Sequence, residues 1–311
     1  MRYDDVLGLI GNTPMVAIHE LSPNPRVRIF AKLEGQNPGG SSKDRIALKM
    51  VDMAEADGLL REGDTILEPS SGNTGIGLAM VARRRGYKLR VVMPENVSIE
   101  RRQLLEIFGA EILLSPAELG SNGAIALSEK LGAEDPSLVR LFQYGNPANP
   151  LSHYESTGPE IWRDCPEVDV FVAGLGTSGT LMGVGRYLKE QKPSVQIVAV
   201  EPPSGELVQG LRNLEDGFVP PIFDPAVLDR KFIVRPRESI EWLRRLLDEC
   251  QVFAGISSGA AVAGAAKVAA EMESGTVVTL LPDGGWKYLS SGAWTDPLDD
   301  VVERATRINY W

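Results

Sequence analysis

The stretch Val168-Asp-Val-Phe-Val-Ala-Gly174-Leu-Gly-Thr-Ser-Gly179-Thr180 decides the fold class. Its first half is β-branched and apolar, which is typical of a short buried strand. A turn rich in glycine and hydroxyl side chains follows, and a helical pattern then runs over Thr180–Gln191. This order of strand, turn and helix is one half of a βαβ unit, in which neighbouring strands lie parallel.

The same order recurs on both sides of this stretch. Short strands are predicted at residues 64–68, 89–93 and 196–200, each followed by a turn of Gly, Ser, Asn or Pro residues. Helices are predicted over Gly75–Arg85, Ile99–Phe108, Asn122–Leu131, Thr180–Gln191, Ser239–Glu249 and Ala260–Glu273. The last of these is rich in small apolar residues, so we expect it to be buried. The pattern predicts an α/β protein whose sheets are mostly parallel and flanked by helices.

The length of the chain predicts more than one domain. It has 311 residues, and a single hydrophobic core tends to stop growing at roughly 250–300 residues. We therefore expect two domains. The stretch Phe142–Pro150 is dense in Asn and Pro, which should break any regular element, and it is the predicted linker.

Charge and cysteine content limit the classes of function. The net charge of −10 works against non-specific binding to nucleic acid, which depends on Lys and Arg neutralising phosphates. Cys165 and Cys250 lie far apart without Cys/His spacing, so neither a disulfide framework nor a metal site is predicted. The apolar run Val6–Ile10 is too short for a signal peptide, and no apolar stretch approaches membrane-spanning length. We expect a cytoplasmic protein with small-molecule partners.

Two motifs carry a candidate catalytic residue and a candidate anion site. Asn37-Pro-Gly-Gly-Ser-Ser-Lys43-Asp-Arg45 places a lysine in the first turn of a helix, where its charge opposes the helix dipole. An exposed lysine beside a capping loop is the alternative. Glu68-Pro-Ser-Ser-Gly-Asn-Thr-Gly75 combines helix-start N–H groups with hydroxyls and an amide, which suits a carboxylate or phosphate. A well-capped helix explains this motif equally well.

Two further motifs are candidates for cofactor binding. Residues 174–179 fit the dinucleotide pattern GxGxxG, and Glu201 follows where an NAD enzyme binds a ribose hydroxyl, so an NAD-dependent dehydrogenase is an alternative. The hydroxyls of Thr177, Ser178 and Thr180 favour a phosphate monoester, because a pyrophosphate needs close backbone approach with little side-chain bulk. The motif Gly255-Ile-Ser-Ser-Gly259 opens the small-residue helix, and its serines either cap that helix or bond a ring nitrogen.

Together these motifs resemble the cysteine synthase family of pyridoxal-phosphate (PLP) enzymes, and its B-type members most closely. The matching blocks run in order through nearly the whole chain: Gly11–Pro14, Lys32–Glu34, the Lys43 and Asn73 motifs, Met93–Asn96, Asn146–Pro150, Thr157–Ile161, the Thr177 loop, Ser257 and Tyr288–Ser290. The resemblance implies the tryptophan synthase β-like fold (PLP fold type II), with two domains that each hold a mostly parallel twisted sheet flanked by helices. Residues 40–146 would form a smaller mobile domain with the substrate-carboxylate loop. Residues 1–39 and 147–311 would form the larger domain with the phosphate loop.

The resemblance also implies roles for single residues. Lys43 forms the Schiff base with PLP and then acts as the general base at Cα, while Asn73 bonds the ring hydroxyl and Ser257 contacts the pyridine nitrogen. The phosphate is held by Gly176, Thr177, Ser178, Gly179 and Thr180, and the substrate carboxylate by Ser70, Ser71, Asn73, Thr74 and Gln143. Ser70 stands where many relatives have threonine, and Ser178 where some have glycine.

The implied reaction replaces the β-substituent of O-acetyl-L-serine or O-phospho-L-serine with sulfide or another sulfur donor, giving L-cysteine. Arg212 stands where A-type relatives have a small, glycine-rich segment, and its planar fork suits a phosphate. A solvated arginine paired with Glu215 or Asp216 is the alternative. The preferred ester and the sulfur donor, free or on a sulfur-carrier protein, are left open. The family implies a homodimer, and Tyr310-Trp311 are expected at an interface or on the surface.

The same residues bear on two other classes of function. A Ser-His-Asp hydrolase needs a GxSxG elbow and a partnered histidine. We expect no such elbow, and we expect His19 and His153 to be structural or surface residues. A catalytically silent regulator on the same fold would not need Lys43, so the retained lysine favours an enzyme.

Overall fold

The computed structural model describes residues 2–70 and 72–307, with side chains as far as residue 304. The strands of this part are β1 (Met15–Ala17), β2 (Val27–Leu33), β3 (Thr65–Pro69), β4 (Lys88–Pro94), β5 (Glu111–Ser115), β6 (Leu138–Arg140), β7 (Val170–Gly174), β8 (Gln196–Glu201), β9 (Arg230–Ile233) and β10 (Gly275–Leu281). Its helices are α1 (Lys43–Ala56), α2 (Asn73–Arg85), α3 (Ile99–Ile107), α4 (Gly120–Glu134), α5 (Ala148–Ser152), α6 (Gly158–Asp164), α7 (Gly179–Gln191), α8 (Pro236–Cys250), α9 (Ile256–Glu271) and α10 (Leu298–Arg307). A π-helical turn, His153–Thr157, joins α5 to α6.

The strands form two sheets. The larger sheet has the order β1-β2-β10-β7-β8-β9, in which β1 runs antiparallel to β2 and every other pair is parallel. The smaller sheet has the order β5-β4-β3-β6 and is parallel throughout. Parallel strands covered on both faces are nearly continuous apolar runs, which is why β3, β4, β7 and β8 were readable in the sequence. The prediction of an α/β fold with mostly parallel sheets is confirmed.

Each sheet has its own apolar core. In the larger core, α9 packs on the sheet through small residues, and a Cβ at Gly264 would lie 2.3 Å from a methyl carbon of Val200. The burial predicted for this helix is therefore confirmed, and its small residues are explained by the close approach of helix and sheet. In the smaller core, Ile46 and Met50 of α1 pack with Ile76 of α2.

The sheets direct their carboxyl-terminal ends toward one cavity. The segments that follow β3 and β6 enter it from the smaller sheet, and those that follow β7 and β10 enter it from the larger sheet. In open parallel sheets the carboxyl ends of strands are where ligands bind, because the loops and helix starts meet there. The loop after β2 leads to α1 and brings Lys43 to the same place.

The predicted linker was partly wrong. Residues 142–147 form a turn, but Ala148–Pro150 already belong to α5. Proline is tolerated here because the N–H groups of a first helical turn have no partner within the helix. The Asn146 side chain also caps the turn, since its Oδ1 accepts from the Ala148 N–H at 2.9 Å.

Ser71 and the Tyr310-Trp311 tail lie outside the described residues, so their predicted roles stay predictions. Within the described ranges, no helix has the length and apolar character needed to cross a bilayer.

Candidate active site

The cavity brings together nearly all the residues that the sequence singled out. Those in its lining are Lys43, Ser70, Asn73, Thr74, Gln143, Gly176, Thr177, Ser178, Thr180, Arg212 and Ser257. Gly179 is the first residue of α7, directly behind this lining. The cavity therefore joins the four motifs from both sheets.

Lys43 is the first residue of α1 and faces the cavity. Burial lowers the pKa of its ammonium from the ordinary value, while the carboxyl groups of Asp283 and Glu34 act in the opposite direction. The positive end of the helix dipole also disfavours a charge there. A lysine held toward its neutral form can act as a nucleophile and a base. Its half-buried position in the cavity lining contradicts the alternative of an exposed surface lysine.

The predicted carboxylate loop follows β3. The Ser70 hydroxyl accepts from the N–H groups of Gly72 (3.3 Å) and Gly75 (3.0 Å), which holds the start of α2 toward the cavity. The Thr74 hydroxyl donates to Gln143 Oε1 at 2.6 Å, and both side chains are buried. Glu68 of β3 fixes the backbone of the segment that follows β6, because its carboxyl oxygens accept from the N–H groups of Phe142 and Gln143.

Asn73 lies between the loop and the larger sheet. Its Nδ2 donates to Asp283 Oδ2 at 2.8 Å, and its Oδ1 accepts from Lys287 Nζ at 2.8 Å. Both partners follow β10, so this amide connects the two sheets. Asp283 and Lys287 had no recognisable signal in the sequence.

The predicted phosphate loop lies between β7 and α7. The Thr177 hydroxyl oxygen accepts from Asn149 Nδ2 (3.0 Å) and from the Gly179 N–H (3.4 Å), so its own proton remains available to a phosphate oxygen. Gly179 is required by close approach, because a Cβ there would lie 1.8 Å from Asn149 Oδ1. Thr180 Oγ1 lies 3.1 Å from His153 Nε2.

His153 is the functional neighbour that the sequence analysis missed. It is fully buried, Nδ1 lies 2.9 Å from the Thr157 hydroxyl, and burial lowers the pKa of the imidazole to about 3. A neutral ring therefore orients Thr180 of the phosphate loop. The signal was the Thr157–Ile161 block, which lies directly after this histidine in the sequence.

Ser178 tests whether the loop fits a phosphate monoester. Its side chain is 3% exposed, and no group in the described part of the chain bonds its Oγ. Its φ of +69° is in the left-handed region, where a side chain is strained. A buried hydroxyl without a partner is costly, so a strained serine facing the cavity fits a site completed by phosphate oxygens. The residues present therefore fit PLP.

Ser257 and Arg212 complete the lining. Ser257 lies in the first turn of α9, and a Cβ at Gly210 would lie 3.4 Å from its Oγ. Arg212 is 8% exposed, and its guanidinium lies over the rings of Phe218 (4.7 Å to the centroid) and Tyr144 (5.4 Å). This burial contradicts the alternative of a solvated loop arginine.

Other lining residues were not among the predicted site residues: Ser42, Arg101, Ser121, Tyr144, Gly210 and Tyr288. Arg101 of α3 is buried with its guanidinium 4.9 Å from the centroid of the Tyr288 ring. Such residues come from separate elements, so no local motif brings them together in the sequence.

Neither alternative enzyme class is supported. Glu201, proposed as a ribose ligand, is buried and accepts from Lys231 at 2.8 Å. The expectation of no GxSxG string was wrong, since Gly255–Gly259 has that spelling. Its Ser257 has no histidine partner, because His19 bonds the backbone of Ile29 and His153 bonds the two threonines.

Known proteins share both the sequence and the fold. A family model for pyridoxal-phosphate dependent enzymes matches residues 6–283. Cysteine synthase B of Pseudomonas aeruginosa is 43% identical over 298 residues, which cover 96% of this chain and 99% of that protein. The crystal structure of an O-ureido-L-serine synthase is similar with a TM-score of 0.89 and 40% identity, covering 96% of each chain. That of O-acetyl serine sulfhydrylase isoform 3 from Entamoeba histolytica has a TM-score of 0.88 and 35% identity, covering 98% of this chain and 96% of that one.

The similarity to PLP-dependent enzymes agrees with the conclusion that the residues of the cavity fit PLP. The protein is a PLP-dependent enzyme, and full-length similarity at this level excludes a chance match of one motif. The chain belongs to the cysteine synthase family of pyridoxal-phosphate-dependent enzymes.

Proposed function

We propose that the enzyme replaces the β-substituent of an activated L-serine with sulfur to give L-cysteine. The observation that carries this proposal is the position of Lys43, a desolvated lysine that faces the phosphate loop and the carboxylate loop across one cavity. The full-length similarity to cysteine synthases supports it. Bound PLP supplies the electron sink that makes the Cα proton acidic and lets the β-substituent leave.

The residues of this chain hold the reactants and move the proton. Lys43 Nζ would hold the cofactor covalently, and the same amine would remove and return the Cα proton of the substrate. Ser70, Thr74 and Gln143 bind the substrate carboxylate, aided by the N–H groups at the start of α2. Ser257 would meet the ring nitrogen with a neutral hydroxyl that does not protonate it, which would favour elimination and addition over transamination.

The phosphate loop orients the cofactor. Thr177, Ser178 and Thr180 donate hydroxyl protons, while Gly176 and Gly179 allow the backbone to approach. Removing one hydrogen bond to a charged group costs about 1.5–3 kcal/mol. Normal PLP affinity in a triple alanine variant of the three hydroxyl residues would contradict this assignment.

For the leaving group, we propose that O-phospho-L-serine is a substrate, beside O-acetyl-L-serine. The names of related structures include different β-substituents, acetyl and ureido, so likeness alone leaves the group open. Arg212 carries the argument, because a buried guanidinium stacked on two rings in the cavity lining is a preorganised ligand for a phosphate. Acetyl offers no such ion pair.

A comparison of kcat/KM for the two esters tests this. Wild type, Arg212→Ala and Arg212→Lys are measured. Arg186→Ala is the control, because Arg186 of α7 is an exposed arginine that pairs with Asp224. We expect Arg212→Ala to lose about ten- to a hundredfold with the phosphorylated ester and much less with the acetylated one. Arg212→Lys should lie between, because it keeps the charge without the fork. Equal losses for both esters, or a wild type inactive with O-phospho-L-serine, would reject the role.

The oligomeric state, the compartment, the sulfur donor and the domain motion are also proposals. We propose a homodimer in the cytoplasm, which suits two cysteines that form no disulfide with each other, and free sulfide or a sulfur-carrier protein as the donor. We also propose that residues 40–146 move as a domain relative to residues 1–39 and 147–311. Light scattering of the purified enzyme tests the dimer.

A further inference from the structure

The Asn73 amide is held between two buried groups of opposite hydrogen-bonding character. Lys287 Nζ lies 2.8 Å from its Oδ1, and Asp283 Oδ2 lies 2.8 Å from its Nδ2. A lysine ammonium only donates, and an ionised carboxylate only accepts. The two neighbours therefore fix which end of the amide is oxygen and which is nitrogen.

The burial of Lys287 is not explained by an ion pair. Its side chain is fully buried, and its other partner is the carbonyl oxygen of Gly40 at 3.1 Å. Across the described residues, no carboxylate oxygen lies within 4.0 Å of Nζ. Burying a lysine on neutral oxygens is costly, so this arrangement contributes little as a stabilising device.

The neighbouring groups hold the arrangement in place. The Tyr288 hydroxyl donates to Asp283 Oδ2 at 2.5 Å, and the backbone N–H of Ser42 donates to the Pro282 carbonyl at 2.8 Å. The segment after β10 is thereby bonded to the loop that carries Lys43. Burial lowers the pKa of Lys287 to about 8, with Asp283 and Asp44 opposing that shift, so the side chain keeps its proton near neutral pH.

One polar hydrogen of the Asn73 amide remains for the cavity. The amide nitrogen has two hydrogens, and Asp283 takes one of them. Because Asn73 lines the cavity, the second is free to serve a ligand there. Reversing the amide would turn a carbonyl oxygen toward the cavity, which repels another acceptor.

We propose that Lys287 is a positioning residue that, with Asp283, locks the Asn73 amide so that its second N–H bonds the ring hydroxyl of PLP. This inference rests on the proposed role of Asn73 as the ligand of that hydroxyl. Lys287 itself contacts no reactant in this scheme. It acts on the cofactor through the orientation of one amide.

A double-mutant cycle on the holoenzyme tests the proposal. Lys287→Met, Asn73→Ala and the double variant are compared with wild type, and Lys287→Arg serves as the conservative rescue. The readouts are the PLP dissociation constant and the ratio of the visible to the near-ultraviolet absorption band of the bound cofactor. Lys267→Met is the matched control, since Lys267 of α9 is partly exposed and pairs with Glu238 of α8.

We expect Lys287→Met to weaken PLP binding about tenfold and to change the band ratio, with Lys287→Arg restoring much of both. In the Asn73→Ala background, Lys287→Met should change neither by more than about twofold. Equal losses in both backgrounds would show that Lys287 is only structural and overturn the proposal alone. An Asn73→Ala enzyme with normal affinity and spectrum would overturn the proposed role of Asn73 as well.

A crystal structure of wild-type holoenzyme provides a test that does not depend on how the variants fold. Asn73 should keep one side-chain atom within hydrogen-bond distance of Lys287 Nζ and present the other to both Asp283 and the cofactor. An amide turned away from Lys287 would overturn the proposal.

Discussion

Lys43 is placed where three effects act against its charge. It is desolvated, it begins α1 at the positive end of the helix dipole, and the ammonium of Lys287 lies in the same region. The carboxyl groups of Asp283 and Glu34 offset these effects only in part, so the net direction of the pKa shift is downward. An amine that is readily deprotonated can both attack a carbonyl and remove a proton, and the proposed mechanism needs both.

The first prediction is that Lys43→Ala loses turnover by on the order of 10³-fold or more while the fold is kept. The same group is the anchor of the cofactor and the base, so no neighbour can replace it. Borohydride reduction followed by peptide mapping should find PLP on Lys43. Lys49→Ala on the same helix, which removes a pair with Glu155, is the control. Label on Lys287, the other lysine with a lowered pKa, would refute the assignment.

Residues that belong to a local motif could be located from the sequence, and the cavity lining includes them. Lys43, Thr177 and Ser257 each stand at the start of a helix after a glycine-bearing turn, so a local motif made each a candidate, and the family resemblance implied its role. Lys287 and Arg101 were missed because their function depends on partners from other strands or helices. Nothing in a lysine after Gly-Gly-Trp indicates that it meets an asparagine 214 positions away.

At the scale of elements, the turn between β7 and α7 combines strain with close packing. Ser178 has a left-handed backbone, and Gly179 lies against Asn149 of α5, so α5 and α7 are in close contact where the phosphate loop ends. The strand and helix were predicted within two residues at each end. The conformation of the turn was not predicted, because the GxGxxG motif fits both a dinucleotide site and a phosphate site lined by hydroxyl groups.

The second prediction concerns Ser178. Ser178→Gly should stabilise the apoenzyme by about 1 kcal/mol, because glycine adopts a positive φ without strain, and should weaken PLP binding by removing a hydroxyl. Ser178→Ala keeps the backbone strain and removes the same hydroxyl, so it should weaken PLP binding and gain less stability than Ser178→Gly. Urea unfolding of the apo forms and PLP titration measure the two effects. A glycine variant that binds PLP as tightly as wild type would contradict the role of the hydroxyl.

At the scale of the whole molecule, a buried charge network joins the start of α1 to the larger sheet. Arg45 bonds Glu34 (2.7 Å) and Glu160 (2.6 Å), and Lys32 of β2 also bonds Glu160 (2.8 Å). Burial by itself would raise the pKa of Glu34, but Arg45 and the Thr13 hydroxyl outweigh it and lower the pKa to about 2. The network therefore holds the catalytic helix against β2 while Glu34 is ionised.

The third prediction is the pH dependence of stability that this network causes. A carboxyl whose pKa is lower in the folded state contributes its full stability above the unfolded value near 4.5 and loses it as the pH falls toward 2. Wild type should therefore lose stability steeply between these values. Glu34→Gln should be less stable at neutral pH, by about 3–5 kcal/mol, and should show a flatter profile over the acid range. Urea unfolding at several pH values measures both, and parallel profiles for the two proteins would contradict the account.

The last prediction is that substrate binding closes residues 40–146 over the cavity. The carboxylate ligands Ser70 and Thr74 follow β3 of the smaller sheet, whereas the loop that would hold the cofactor phosphate belongs to the larger sheet. A substrate that binds the first loop and reacts on a cofactor held by the second should draw the two sheets together. Glu100 of α3 already accepts from the N–H and hydroxyl of Ser290 across this division. Hydrogen exchange should slow in residues 72–76 and in α3 when the holoenzyme binds L-serine, which lacks a good leaving group. Exchange in α8, which packs on α9 away from the cavity, should stay unchanged and is the internal control. Equal protection of residues 72–76 in free and bound enzyme would leave the carboxylate loop without a role in closure.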